Sequence, residues 1–246
     1  MIKELGPGLR LMIVLTVLTG GLYPAAMTGI SKVLFPKQAN GSLVTHDGKV
    51  VGSSLIGQSF TKPEYFHPRP SSAGSGYDAT ASGGSNLGPT SAKLLHGTIK
   101  TDAQGKEIVD FDGIEDRLVH YCVDNDIPYT SSVSLDQFKD PQGNLDDVKL
   151  IKAFNDTKAP LVFMPKVQIP ADAVTGSASG LDPDISPANA DLQAERVAKA
   201  RNVSPDQVRS LIAQITERPA LGFIGEPRVN VLLLNLSLDQ KSPLLK

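Results

Sequence analysis

A chain of 246 residues with a formal net charge of −2 has room for one or two domains besides a membrane anchor, and no broad basic field for nucleic acid. With no Trp and 5% aromatic residues, it offers little for base stacking. Cys122 is the only cysteine, which excludes an intrachain disulfide and a cysteine-built zinc site.

The first element is an uncharged run of 21 residues between Arg10 and Lys32, LMIVLTVLTGGLYPAAMTGIS. As a helix it extends about 31 Å, close to the hydrocarbon thickness of a bilayer. Residues 11–31 are read as one transmembrane helix, with residues 1–10 as a cytoplasmic N-terminus and 32–246 as an extracytoplasmic domain. The orientation follows flanking charge: the amino terminus, Lys3 and Arg10 precede the span, Lys32 and Lys37 follow it. A cleaved signal peptide shares the basic start and apolar core, but residues 23–27 hold no small-x-small cleavage site. A buried core helix is the other alternative, and one this long without charge is rare in soluble domains. Gly21, Ala25 and Gly29 recur every fourth residue and would line one face for close packing against another membrane helix, although such residues are also simply common in spans. Pro24 among them predicts a kink or a break in regular hydrogen bonding.

Beyond residue 32 the domain is acidic, near −4. Residues 43–45 and 49–51 flank His46-Asp47-Gly48, a hairpin with a favoured tight-turn pair. From Phe60 to Lys93 the composition becomes rich in Gly, Ser, Ala and Thr, as in flexible linkers. Tyr65, Phe66, His67, Arg69, Tyr77 and Asp78 are side chains that linkers rarely hold. The stretch is therefore read as an ordered loop, with Tyr65, Phe66, His67, Arg69, Ser82, Gly83, Gly84, Ser85 and Asn86 as the residues that order it or meet a partner. Its glycines suggest a nest of outward N–H groups for an anion or a partner's carbonyls. No G-x-x-x-x-G-K-[ST] loop is present, so nucleotide-binding residues are not assigned.

Residues 114–122 and 146–154 suit short amphipathic helices, separated by a turn at residues 140–143. Ser186-Pro187 and Ser204-Pro205 start two more, the second with Gln207 completing a capping box. Residues 229–238, VNVLLLNLSL, read as a buried strand. The expected fold class is α+β: one transmembrane helix, then a domain with a small sheet packed by helices.

Chemistry-bearing constellations are sparse. Ser85, His67 and Asp78 could serve a hydrolase, but no G-x-S-x-G elbow exists and serines abound. Metal binding by His46, His67, His96 and His120 fails on spacing, with no H-x-x-x-H pair. Asp182 and Asp184 could do acid–base work, but turn and cap chemistry before Pro183 and Pro187 is the simpler reading. Arg69, stiffened between two prolines, could present its guanidinium to a carboxylate or carbonyl cluster; a structural salt bridge, with Asp78 as a candidate partner, is the simpler reading.

Several blocks, taken together, resemble the C subunit of Kdp potassium-transporting P-type ATPases: residues 19–24 (TGGLYP), 56–58 (IGQ), 65–71 (YFHPRPS), 81–89 (ASGGSNLGP), 175–183 (TGSASGLDP), 185–187 (ISP), 196–198 (RVA) and 225–230 (GEPRVN). Residues 94–165 match none of them and are read as an insertion on the domain's outer side. The resemblance implies a non-catalytic accessory subunit of a high-affinity potassium uptake pump in the cell (inner) membrane. Its partners would be a channel-like potassium-translocating subunit, which handles the potassium, and a P-type pump subunit. It also implies a catalytic chaperone that raises the pump subunit's ATP affinity, hence possible ATP binding, against which an extracytoplasmic domain stands because ATP is cytosolic. The alternative is a membrane-tethered extracytoplasmic enzyme using the Ser/Gly-rich loop.

Overall fold

The computed structural model describes residues 2–242. The chain divides after Leu55 into two compact units.

The first unit begins with a rod of α1 (Ile2–Val17), a wide π-helical turn over Leu18–Leu22, and α2 (Tyr23–Leu34). Its membrane-length segment, Leu5–Leu34, is 30 residues long and longer than the uncharged run, because it takes in Arg10 and Lys32. The wide turn has a cause in the sequence. Pro24 has no N–H for the carbonyl of Gly20, and its ring crowds that carbonyl. The N–H of Tyr23 instead reaches back to Leu18 O, five residues away. Thr19 Oγ1 donates to Leu15 O at 2.8 Å. Regular hydrogen bonding breaks at Pro24, as expected, while the helix continues. After α3 (Pro36–Ala39) comes the hairpin of β1 (Leu43–His46) and β2 (Lys49–Ser53). Its turn residues Asp47 and Gly48 have φ of 49° and 74°, the left-handed pair that a type I′ turn requires.

The second unit, from Ile56 onward, opens with the long loop and continues through α4 (Ala92–His96), the β3 (Thr98–Thr101)/β4 (Glu107–Phe111) hairpin and α5 (Ile114–Asp124). Then follow β5 (Tyr129–Ser131), α6 (Asp147–Phe154), β6 (Phe163–Pro165) and α7 (Ala171–Val174). The chain ends in β7 (Asp184–Ile185), α8 (Pro187–Arg201), α9 (Pro205–Ile215), β8 (Val229–Asn230) and α10 (Val231–Lys241). The fold class is α+β. Among the described residues its strands form four antiparallel pairs rather than one sheet, β1–β2, β3–β4, β5–β6 and β7–β8.

Local signals act as the sequence predicts at α8 and α9. The Ser186 hydroxyl caps α8, and Asn202 closes it in the left-handed conformation. Ser204 and Gln207 form the capping box of α9. Residues 229–238 correct the expectation: only Val229 and Asn230 pair as a strand, and the remainder is helical. A continuous apolar run does not distinguish a buried strand from a buried helix. Here Asn230 decides, its side chain accepting from Leu233 N at 3.1 Å as a helix cap. Leu234 and Leu238 of α10 then pack with Ala190, Ala194 and Val197 of α8, Val208, Leu211 and Ile212 of α9, and Phe66. A second core, Val119, Leu135, Leu150, Phe154 and Leu161, lies within the stretch that carries none of the motif blocks.

Candidate functional site

The motif residues converge. Residues 63–67 run along α8 and α10 with almost every backbone group held by a side chain. Asn235 accepts from Phe66 N at 2.9 Å and donates to Phe66 O at 3.0 Å. Gln193 treats His67 alike, at 2.7 and 3.1 Å. Each amide thus replaces the neighbouring strand that an extended segment needs. Arg196 donates to the carbonyls of Pro63 and Tyr65 at 2.7 and 2.9 Å, and Arg201 to that of Glu64 at 2.7 Å. Tyr65 stacks under the Arg201 guanidinium, 4.9 Å from its ring centre, and donates to Asp239 at 3.2 Å. Phe66 is fully buried.

The next motif binds the loop at 175–183. Arg69 pairs with Asp182 at 2.9 Å and donates to the carbonyls of Thr175 and Gly176, both at 3.3 Å. The expected structural salt bridge is present, but its partner is Asp182. Asp78 instead caps the short turn Ala79–Ala81, accepting from Thr80 N and Oγ1 at 2.8 and 2.6 Å. Ser71 donates to Gly180 O at 2.6 Å, and Ser82 Oγ and Gly83 N both reach Ser179 O at 2.9 Å. Gly84 lies against Ala178, whose carbonyl oxygen would be 2.8 Å from an added Cβ. Ser82, Ser85 and Asn86 are exposed, and Asn86 adopts φ 54°.

The loop is therefore ordered, and much of the expected nest is turned inward on the chain itself. The N–H groups of Ala73, Gly76, Tyr77, Asp78, Thr80, Ala81 and Gly83 are bound to the chain's own oxygens. The hydrolase trio is not joined by hydrogen bonds either. Asp78 serves Thr80, the Ser85 hydroxyl accepts from Leu87 N at 3.5 Å, and His67 Nε2 donates to Lys62 O at 3.0 Å.

Burial holds the His67 pKa below its ordinary value, and the nearby Arg196 cation adds to this. A histidine kept neutral in the fold takes up a proton more readily once unfolded. Its contribution is complete above the unfolded value, about 6.5, and is lost as pH falls through the lower folded value. The wild-type chain should lose up to about 1.4 kcal/mol per pH unit more than His67→Gln across that window. Urea titrations at stepped pH check this; parallel curves for the two chains would refute it.

On another side of the same segment, residues 67–71 wall a pocket of about 490 Å³ with residues of α5 and α6. Asp116 and His120, four residues apart on α5, share one helix face. Asp147 opens α6 and meets His120 Nε2 at 2.7 Å. One potential ligand atom from each of the three lies within 4.8 Å of the others. Asp116 is 3% exposed, and its Oδ1 has no hydrogen-bond partner among the described residues. Burial pushes its carboxyl up to about 7, with the Asp147 charge adding to the shift. The His120–Asp147 hydrogen bond raises the imidazole pKa. A search for histidine pairs misses this cluster, because its second helical group is a carboxylate and its third comes from another helix. Gln193 and Asn235 are likewise not legible in advance; Asn235 has a signal, a lone amide on the apolar run of α10, whereas Gln193 shares its buried face with Asn189 and Arg196.

Comparison with known proteins accounts for the motif blocks. A family model described as KdpC, K+-transporting ATPase, c chain, matches residues 5–137 and 142–240, running through most of the stretch 94–165. The potassium-transporting ATPase KdpC subunit of Caulobacter vibrioides is 46% identical over 244 residues, 99% of this chain and 96% of that one. The subunit of the same name from Mycobacterium tuberculosis is 44% identical over 238 residues, 97% and 98% of the two chains. Matches of this extent cover nearly all of both compact units, and this chain belongs to the KdpC family, the c chain of K+-transporting ATPases.

Proposed function

We propose that the chain is a non-catalytic accessory subunit of a potassium-transporting P-type ATPase. Its helix anchors it in the cell membrane, and its domain stands on the extracytoplasmic side, where it stabilises the assembled complex and the ion-entry side. The observation that carries this reading is the helix Leu5–Leu34, whose apolar window is entirely unburied by the rest of the chain. In water such a surface is untenable; lipid and the helices of partner subunits are what cover it. No heavy atom lies within 4 Å of a Cβ built on Gly21 or Gly29, so a partner helix has open access to the face shared with Ala25. The partners are the channel-like potassium-translocating subunit and the P-type pump subunit. A rise in the pump subunit's ATP affinity, which the family resemblance implies, is assigned to the assembled complex.

Gly21→Leu combined with Gly29→Leu should abolish co-purification with the other subunits in mild detergent while leaving the thermal midpoint of the domain unchanged. Retained co-purification would remove the packing face from the proposal. Topology has its own test. Lys49→Cys should react with an impermeant maleimide from outside intact cells, whereas the wild-type chain should not, its single thiol Cys122 being buried. Labelling only after the cells are opened would reverse the orientation.

A further inference from the structure

We propose that Asp116, His120 and Asp147 bind a divalent transition-metal ion of the zinc class, which clasps α5 to α6 beside the 67–71 segment. The cluster alone would not carry this; the state of Asp116 does. A carboxylate at 3% exposure with one oxygen unpartnered is a costly group to bury. A proton alone would neutralise it without giving that oxygen a donor. A cation satisfies both the charge and the lone pairs.

The surroundings favour a cation. The guanidinium of Arg117 is held by Asp112 through two contacts of 2.8 Å, and that of Arg69 by Asp182, so neither supplies a hydrogen bond to the cluster. Asp124 adds a further carboxylate to the pocket wall. One imidazole and two carboxylates, with open space for water, suit zinc and its first-row neighbours; calcium and magnesium prefer sites built from oxygen alone. Ligand bonds of about 2.1 Å place ligand atoms roughly 3–4 Å apart. The His120–Asp147 contact therefore opens slightly on binding, within reach of the Asp147 side chain, which is 46% exposed and able to rotate.

The test uses the full chain, purified in detergent and stripped with chelator, with Co2+ and Zn2+ as probes. Wild type should bind one Co2+ per chain with the visible absorption of a low-symmetry nitrogen–oxygen site, and Zn2+ should displace it. Asp116→Asn and His120→Gln should each weaken binding by more than about a hundredfold, beyond what loss of an outer-shell contact costs. His46→Ala should bind as wild type does. Thermal melts guard against misfolding. Without metal, Asp116→Asn should melt no lower than wild type, because it removes a buried charge; with Zn2+ only wild type should gain. Substoichiometric binding, or equal affinity in wild type and both site variants, would mean adventitious binding at other histidines and would overturn the proposal.

Discussion

Replacing Asn235 by leucine should destabilise the unit beginning at Ile56 by about 2–4 kcal/mol, although the new side chain is apolar and has the same branched shape. Asn235 is 1% exposed and bonds both the N–H and the carbonyl of Phe66, itself fully buried. Leucine would gain about 1–2 kcal/mol from apolar burial. It would also strand two backbone groups away from water, each at a cost of about 1–3 kcal/mol. The second effect wins. For a unit of this size the thermal midpoint should fall by roughly 5–15 °C. Urea unfolding measures the free energy directly. A leucine variant as stable as wild type would show that water reaches Phe66 once the amide is gone.

Gly180→Ala should cost about 3 kcal/mol and loosen residues 71–83 selectively. Gly180 has φ 67°, where a side chain alone costs about 1–2 kcal/mol. A Cβ there would stand 2.5 Å from Gly83 O and 2.8 Å from Ala73 N. Both are backbone atoms, so no side chain can swing aside and the two loops must part. Their separation breaks the bonds from Ser71 to Gly180 O and from Gly83 to Ser179 O. Hydrogen exchange at the amides of Ala73, Tyr77 and Gly83 should quicken well beyond the change in α9. Uniform exchange across the domain, or none, would mean that the loop is ordered from elsewhere.

These variants act on residues of very different legibility. Ser186, Ser204 and Asp47-Gly48 announce their caps and turn because those devices need only neighbours within a few positions, so their chemistry is written locally. The membrane-length helix was readable for a related reason: absence of charge over 21 residues is a property of the run itself. Its exact reach was not, since Arg10 and Lys32 belong to the same helix. Residues 229–238 went the other way, because apolar composition records burial without recording backbone shape, and one asparagine tipped the outcome.

The candidate site divides similarly. Tyr65, Phe66, His67 and Arg69 were conspicuous as specific side chains ahead of a Gly- and Ser-rich loop, yet their partners lie at Thr175, Asp182, Gln193, Arg201, Asn235 and Asp239. Arg69 illustrates the difference. Proline on each side makes a stiff, structural arginine readable, but nothing along the chain singles out Asp182, 113 residues away, which only the fold brings to it.

The amino-acid sequence by itself determined a charge-free rod of bilayer length, the capped helices of the last third, the ordered character of a glycine-rich loop and the family to which these blocks point. The tertiary structure alone decided what the Gly- and Ser-rich loop touches, that α10 is a helix, and that Asp116, His120 and Asp147 share one pocket. The physical reason is range. Helix caps, tight turns and hydrophobic runs are set by interactions over a few residues, whereas ion pairs, amide clasps and clustered ligands depend on which distant segments the folded core brings within 3 Å or so of each other.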